Sequence, residues 1–237
     1  MAARESGGGC VGRQLESEGM IGMHSRVVEV LAEYEARLAR ENPVVAEFTA
    51  AEYVEHRDEC LLGIGAETGR FLNILIKAAR PRTIVEVGTS YGYSTIWLAE
   101  AAAAVGGRVI SLEVSDAKIA FAQERLSAAG LDSVVEFVAG DALRSLEALD
   151  GVMDFALIDL WKELYVPTFD RIYTRLAEGG LVAADNVCLP PLHAEEMKAY
   201  VTHVRGHAGI ESVTVPVGSG IELSRFARSE IAGAPAR

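Results

Sequence analysis

The chain has 237 residues, 50% hydrophobic and 24% charged, enough to bury a full core as one large or two small domains. Its 22 basic and 34 acidic residues leave a formal charge of −12. With no Lys/Arg run that would track a phosphate backbone, the composition argues against nucleic acid as a partner. Cys10, Cys60 and Cys188 are far apart, odd in number and without a CxxC pair, which argues against a disulfide framework or a cysteine zinc site and fits a reducing cytoplasm.

Residues 1–19 scatter charges among glycines and hold no apolar core of seven or more residues. This is not a secretory signal; the segment is expected to be a disordered leader, with Met20 or Met23 an equally good start. Val27, Leu31, Tyr34 and Leu38 recur at helical spacing opposite Glu29, Glu33, Glu35 and Arg37, so roughly residues 24–40 read as an amphipathic helix. A second helical stretch follows Pro43, and a third runs through Thr68–Ala79 and ends before Pro81. This N-terminal attachment, residues 20–80, must lay its apolar stripe on something: the sheet, a substrate or a second copy. A homodimer through these helices is expected.

From Thr83 the pattern changes to short β-branched runs alternating with helices. The predicted strands are Thr83–Val87, Val109–Val114, Val134–Val138, Phe155–Asp159 and Leu181–Asp185. Ser94–Ala104, Ser115–Ala129 and Thr168–Ala177 read as the intervening helices. Strands apolar on both faces, alternating with helices, mark a doubly wound α/β fold with a mostly parallel, Rossmann-like sheet, and ligands in such sheets bind at the carboxyl ends of the strands. No apolar run is long enough to span a membrane. The catalytic domain is expected over residues 81–228, followed by a flexible tail, 229–237.

The first strand runs into Glu86-Val87-Gly88-Thr89-Ser90-Tyr91-Gly92-Tyr93-Ser94, a glycine turn opening a helix, where the backbone can approach a ligand and the helix offers free amides. Its Gly-x-x-x-Gly spacing departs from the Gly-x-Gly-x-x-Gly of dinucleotide sites, which weakens a nicotinamide reading. Glu113, at the end of the second strand, stands where a carboxylate takes ribose hydroxyls; Asp141, in Gly140-Asp141-Ala142, could accept from an adenine amino group. Both have a plainer reading as acids at helix starts.

Further on, Asp159-Leu160-Trp161-Lys162 and Asp185-Asn186 each follow an apolar strand-like run. Acids brought together at neighbouring strand ends suit a hard divalent cation, and Lys162 beside them is a candidate base. The plainer readings are helix caps for the aspartates, an exposed lysine opening a helix, and core filling for Trp161. His203 and His207 are four apart, but Gly206 interrupts that helix and no acid sits at zinc-protease spacing, so a histidine metal site is not expected.

These motifs, in this order and ending in Gly179-Gly180-Leu181-Val182-Ala183-Ala184-Asp185-Asn186, resemble those of cation-dependent class I O-methyltransferases of the catechol and caffeoyl-CoA type, over roughly residues 67–226. The resemblance implies a seven-stranded sheet with extra N-terminal helices. It implies S-adenosylmethionine with Glu86, Gly88, Tyr91 and Ser94 at its methionine portion, Glu113 at the ribose, and Asp141 and Trp161 at the adenine, beside Asp159. It further implies Mg²⁺ or another divalent cation on Asp159, Asp185 and Asn186, Lys162 as the base, Pro190 in the wall against the acceptor, and a small vicinal dihydroxy acceptor. Catechol-methylating relatives carry an acid before the last strand where this chain has Val213, so the acceptor need not be a simple catechol. A cofactor-binding protein without chemistry, and less so a nicotinamide oxidoreductase, are the alternatives.

Overall fold

The computed structural model describes residues 22–188 and 193–227; the expected leader, the tail and Pro190 lie outside the described residues. Three helices come first: α1 (Ser25–Val45), α2 (Ala50–His56) and α3 (Ala66–Ala79). The alternating part follows as β1 (Thr83–Val87), α4 (Tyr93–Val105), β2 (Arg108–Glu113), α5 (Asp116–Ala129), β3 (Val135–Ala139), α6 (Ala142–Ala148), β4 (Met153–Ile158), α7 (Tyr165–Tyr173) and β5 (Leu176–Ala184). The chain then forms α8 (Ala194–Arg205) and the hairpin β6 (Ile210–Val215) and β7 (Ile221–Phe226). The seven strands lie in the order β3-β2-β1-β4-β5-β7-β6. The sheet is parallel as far as β5, and β7 is antiparallel to both β5 and β6. This is the mostly parallel α/β sheet expected from the alternation.

The period-2 alternation of strand side chains divides the core into two layers. Ile84, Val109, Phe155 and Leu157 face α1, α3, α4 and α5; Val85, Ile110, Ala156 and Ile158 face α6, α7 and α8. Val27, Val30, Leu31, Tyr34 and Leu38 of α1 are all buried in the first layer. The chain therefore covers its own amphipathic stripe, and that stripe no longer calls for a second copy. Burying a Val or Leu side chain contributes about 1.5–3 kcal/mol, so these five residues bind α1 firmly to the sheet domain.

Several boundaries differ from the periodicity. Helix α1 continues through Pro43, which sits in its last turn, so that the hydrogen bond its missing N–H costs is lost close to the helix end. Helix α7 stops at Tyr173, and β5 begins at Leu176 rather than Leu181; its register against β4 shifts between Met153 and Phe155, an irregularity that blurs the alternation. Among the described residues, no helix is long and apolar enough to cross a membrane.

The register matters most at the rim. Val87 pairs with Leu112 and Ile158, and Ile158 with Ala184. Gly88, Glu113, Asp159 and Asp185 thus leave four adjacent strands at one level. The β1/β4 boundary is the point where strand order reverses, the place at which such sheets open a crevice.

Candidate active site

At Gly88 (φ 103°) a β-carbon would stand 2.0 Å from the Asp159 carbonyl oxygen, so β1 and β4 approach too closely for any side chain. Gly92 (φ 86°) begins α4 and lies against Ala122, which a β-carbon would meet at 2.7 Å. Both positions need glycine for conformation and for space. The turn between them is pinned from outside: Ser90 N–H donates to Glu113 Oε2 at 2.8 Å, while Val114 and Ser115 N–H donate to Oε1 at 2.9 and 3.0 Å. Glu113 therefore stands at the expected strand end and also fixes the turn's backbone.

Glu86 is fully buried. Ser94 Oγ, Thr95 Oγ1 and Ser111 Oγ donate to it at 2.6, 2.7 and 2.5 Å. Burial pushes its carboxyl up to about 7 against the pull of those hydroxyls. Ser94 thus bonds Glu86 beneath the turn while also lining the cleft above it. Tyr91 is held by its surroundings: Arg37 lies 4.3 Å from the ring centroid, its hydroxyl donates to Asp58 O at 3.0 Å, and its carbonyl accepts from Tyr34 at 2.5 Å. Asp141 is exposed and accepts from Arg144 N–H at 3.0 Å. The cap reading of Asp141 is thus realised, at the end of β3.

A cleft opens above the glycine turn, between Gly88, Ser90, Tyr91 and Asp159 on one side and the segment Leu61–Ile64 on the other. Sequence reasoning missed that segment, although its Gly63 and Gly65 signal a turn. It is fastened by Lys118 Nζ on Asp58 Oδ1 at 3.0 Å and by Leu61 N–H on Glu41 Oε2 at 2.7 Å. Just before it, Arg57 lays its guanidinium 3.7 Å from the centroid of the Trp161 ring, a cation–π contact. Trp161 is half-buried and so is not core filler.

Beside the cleft, the other predicted residues converge. Lys162 Nζ donates to Asn186 Oδ1 at 2.6 Å, Tyr165 Oη at 2.7 Å and Leu160 O at 3.3 Å, and stands 3.7 Å from Asp159 Oδ1. Tyr165 in turn donates to Asp185 O at 3.1 Å. Asn186 has the left-handed φ of 62°, which Asn tolerates better than most residues, and its Nδ2 donates to Asp185 Oδ2 at 3.1 Å. Asp185 Oδ1 is buried and has no hydrogen-bond partner among the described residues.

The electrostatics follow from a buried acid, Asp185, and a half-buried one, Asp159, beside one ammonium. Burial, then the neighbouring Asp159 charge, pushes Asp185 up to about 8; burial also raises Asp159 and holds Lys162 below the usual lysine range. A buried carboxylate oxygen with no donor, an adjacent carboxylate and a side-chain amide oxygen form an all-oxygen donor set suited to a hard divalent cation. Placed there, such a charge would reverse the upward push on both acids. The residues present fit the group.

Two acids stand near Val213, and both are committed to ion pairs. Glu222 is buried and accepts from Arg205 at 2.8 and 3.0 Å, and from Ser212 and Thr214. Glu211 pairs with Arg225 at 3.2 Å. Val213 itself is exposed on β6.

The doubly wound sheet thus carries a glycine turn at its switch point and an acid–lysine–amide cluster on the next strand ends. The sequence model of the O-methyltransferase family matches residues 35–226, and the chain belongs to that family. It is 33% identical over 160 residues to a catechol O-methyltransferase of Mycobacterium tuberculosis, covering 67% of this chain and 71% of that protein. Among solved structures, the TomG O-methyltransferase of Streptomyces achromogenes in complex with SAM aligns with TM-score 0.66 and 27% identity over 73% of this chain and 86% of that one. A Bacillus cereus O-methyltransferase in complex with SAH gives TM-score 0.69 and 25% identity over 90% and 96%. Across the first three curated relatives, the matched stretch spans between 58% and 71% of their length. The family drawn from the motifs is thus confirmed, the class is that of S-adenosylmethionine-dependent O-methyltransferases, and the nicotinamide alternative is set aside.

Proposed function

We propose that this chain transfers the methyl group of S-adenosylmethionine to one hydroxyl of a small vicinal dihydroxy, catechol-like molecule, with Mg²⁺ or another divalent cation held by Asp159, Asp185 and Asn186. The observation that carries the reading is Asp185 Oδ1, a buried carboxylate oxygen with no donor among the described residues, beside Lys162 and Asn186. In the reaction the carbon–sulfur bond breaks as the carbon–oxygen bond forms, the electron pair returns to sulfur, and the hydroxyl proton leaves to a base. A bound cation supplies charge stabilisation for the deprotonated hydroxyl and fixes its position.

The chain's own residues do the rest. Lys162 Nζ is the base: its low-lying ammonium gives up a proton more readily than a surface lysine does, and Tyr165 Oη holds the nitrogen in place. The glycine turn fixed by Glu113, together with Leu61–Ile64, encloses the methyl donor, and Trp161, Tyr91 and Asp141 border the same rim. Glu86 and Ser94 support the turn from beneath. The name of the M. tuberculosis relative supports a catechol-type acceptor, while Val213 in place of an acid argues for a diol whose second hydroxyl is held otherwise. Pro190 keeps its proposed place in the acceptor wall. The homodimer expected through the N-terminal helices has the exposed Val44, Val54 and Ile74 as its candidate contacts. A cytoplasmic location belongs to the same proposal.

The acceptor class is tested by incubating the protein with S-adenosylmethionine, Mg²⁺ and matched aromatic pairs, one member a vicinal diol and the other a monophenol, with mass spectrometry of the products. Monomethyl ethers from diols only are expected. Equal methylation of the monophenols would refute the two-oxygen reading.

A further inference from the structure

We propose that Asp170, His203 and His207 form a second metal site, selective for a borderline divalent ion such as Zn²⁺, that clamps α7 to α8 away from the methyl-transfer cleft. One ligand atom from each residue lies within 4.8 Å of the other two. His203 Nε2 is 2.6 Å and His207 Nε2 3.7 Å from Asp170 Oδ1. The histidines are four apart, and Gly206 does not part them: its backbone stays helical (φ −82°, ψ −12°), and His207 N–H still donates to Val204 O at 3.1 Å. Both rings therefore project from one face, as in helical zinc sites, and the acid that the sequence spacing lacked arrives from α7.

The second observation concerns the ring of His207. Its Nδ1 lies 2.9 Å from His203 O, and a carbonyl oxygen only accepts, so Nδ1 carries the hydrogen and Nε2 is the nitrogen directed at Asp170. A ligand histidine that donates its other N–H to a backbone carbonyl is oriented for metal binding. Phe169 and Tyr173 hold the ring from the sides, with centroids 5.1 and 4.8 Å away, and supply an apolar wall. A proton already lies between His203 and Asp170; the metal takes its place.

The dimensions agree. A tetrahedral zinc with ligands at about 2.0–2.2 Å sets donor atoms roughly 3.4 Å apart, between the 2.6 and 3.7 Å present, so small side-chain rotations suffice. Asp170 is 47% and His203 34% exposed, which leaves an entry path and a fourth position for water. Two imidazoles with one carboxylate favour Zn²⁺, Ni²⁺ or Cu²⁺ over Mg²⁺. Asp170 lies five residues beyond Tyr165, about 7.5 Å along the α7 axis from the lysine cluster.

The test is calorimetric titration of the chelator-stripped full chain with ZnCl₂ in excess MgCl₂, which keeps the all-oxygen cluster occupied. The wild type is expected to bind one equivalent and its thermal midpoint to rise. His203→Gln/His207→Gln should bind at least about tenfold more weakly and show no rise. Asp170→Asn, at an exposed position, is the second variant should the double one fail to fold, with the same expectation. No uptake by the wild type, or uptake as tight by both variants, would overturn the site.

Discussion

Asp185→Asn gives the most quantitative view of the cation cluster. Its carboxyl stands near 8 in the folded chain and at about 3.9 in an unfolded one. Over that interval the folded state holds the proton and the unfolded state does not, so the native chain loses stability as pH rises from about 4 towards 8. At about 1.36 kcal/mol per unit, the loss reaches roughly 4 kcal/mol by pH 7. Asparagine removes this dependence but places an amide N–H₂ where Asp185 Oδ1 now has no partner, at a cost of about 2 kcal/mol. In EDTA at pH 7 the variant should therefore be the more stable protein by about 2 kcal/mol, with the order reversed at pH 4. Mg²⁺ should reverse it at pH 7 as well, since binding at 100 times Kd adds about 2.7 kcal/mol to the wild type alone. Urea denaturation at the two pH values, with and without Mg²⁺, reads all of this. A variant no more stable than wild type in EDTA at pH 7, or an equal Mg²⁺ effect on both, would refute the reasoning.

Three further outcomes follow. Lys162→Ala should lower kcat by about 10²–10⁴ while leaving S-adenosylmethionine affinity unchanged by calorimetry; the wild-type rate should rise with pH through an ionisation below the usual lysine range, and equal loss of binding and turnover would reject the base. Gly88→Ala, whose β-carbon would meet the Asp159 carbonyl at 2.0 Å, should destabilise the chain by about 3 kcal/mol or more in urea; a change under about 1 kcal/mol would show that the β1/β4 rim is looser than drawn. Light scattering at micromolar concentration should give about twice the 25.3 kDa chain mass, and Val54→Glu/Ile74→Glu should halve it; a monomeric wild type would reject the dimer.

What the sequence could reveal was set by how local each signal is. Strand β1 was readable residue for residue, because Thr83–Val87 is β-branched and bounded by Pro81 and Gly88. The Asp159, Lys162, Asp185 and Asn186 cluster was readable because polar residues directly after two apolar runs must share a rim in a parallel sheet. The partner of the α1 stripe was not, since nothing in Val27–Leu38 distinguishes its own α4 and α5 from a second copy. Leu61–Ile64 was missed for a similar reason: its place over the glycine turn rests on Lys118, Glu41 and Tyr91, each distant in sequence. The bracing of Glu86 was not readable either, since it rests on Ser94, Thr95 and Ser111 converging beneath the turn from two elements. Asp170 joined two histidines only once α7 and α8 were packed together.

The central claim is most directly tested by following transfer of a labelled methyl group from S-adenosylmethionine to an aromatic vicinal diol, first with Mg²⁺, then after excess EDTA, then with Mg²⁺ restored. Transfer should occur, cease and return, and Asp185→Asn should show none of the three phases above background. Transfer that continues undiminished in EDTA would contradict a divalent cation on Asp159, Asp185 and Asn186.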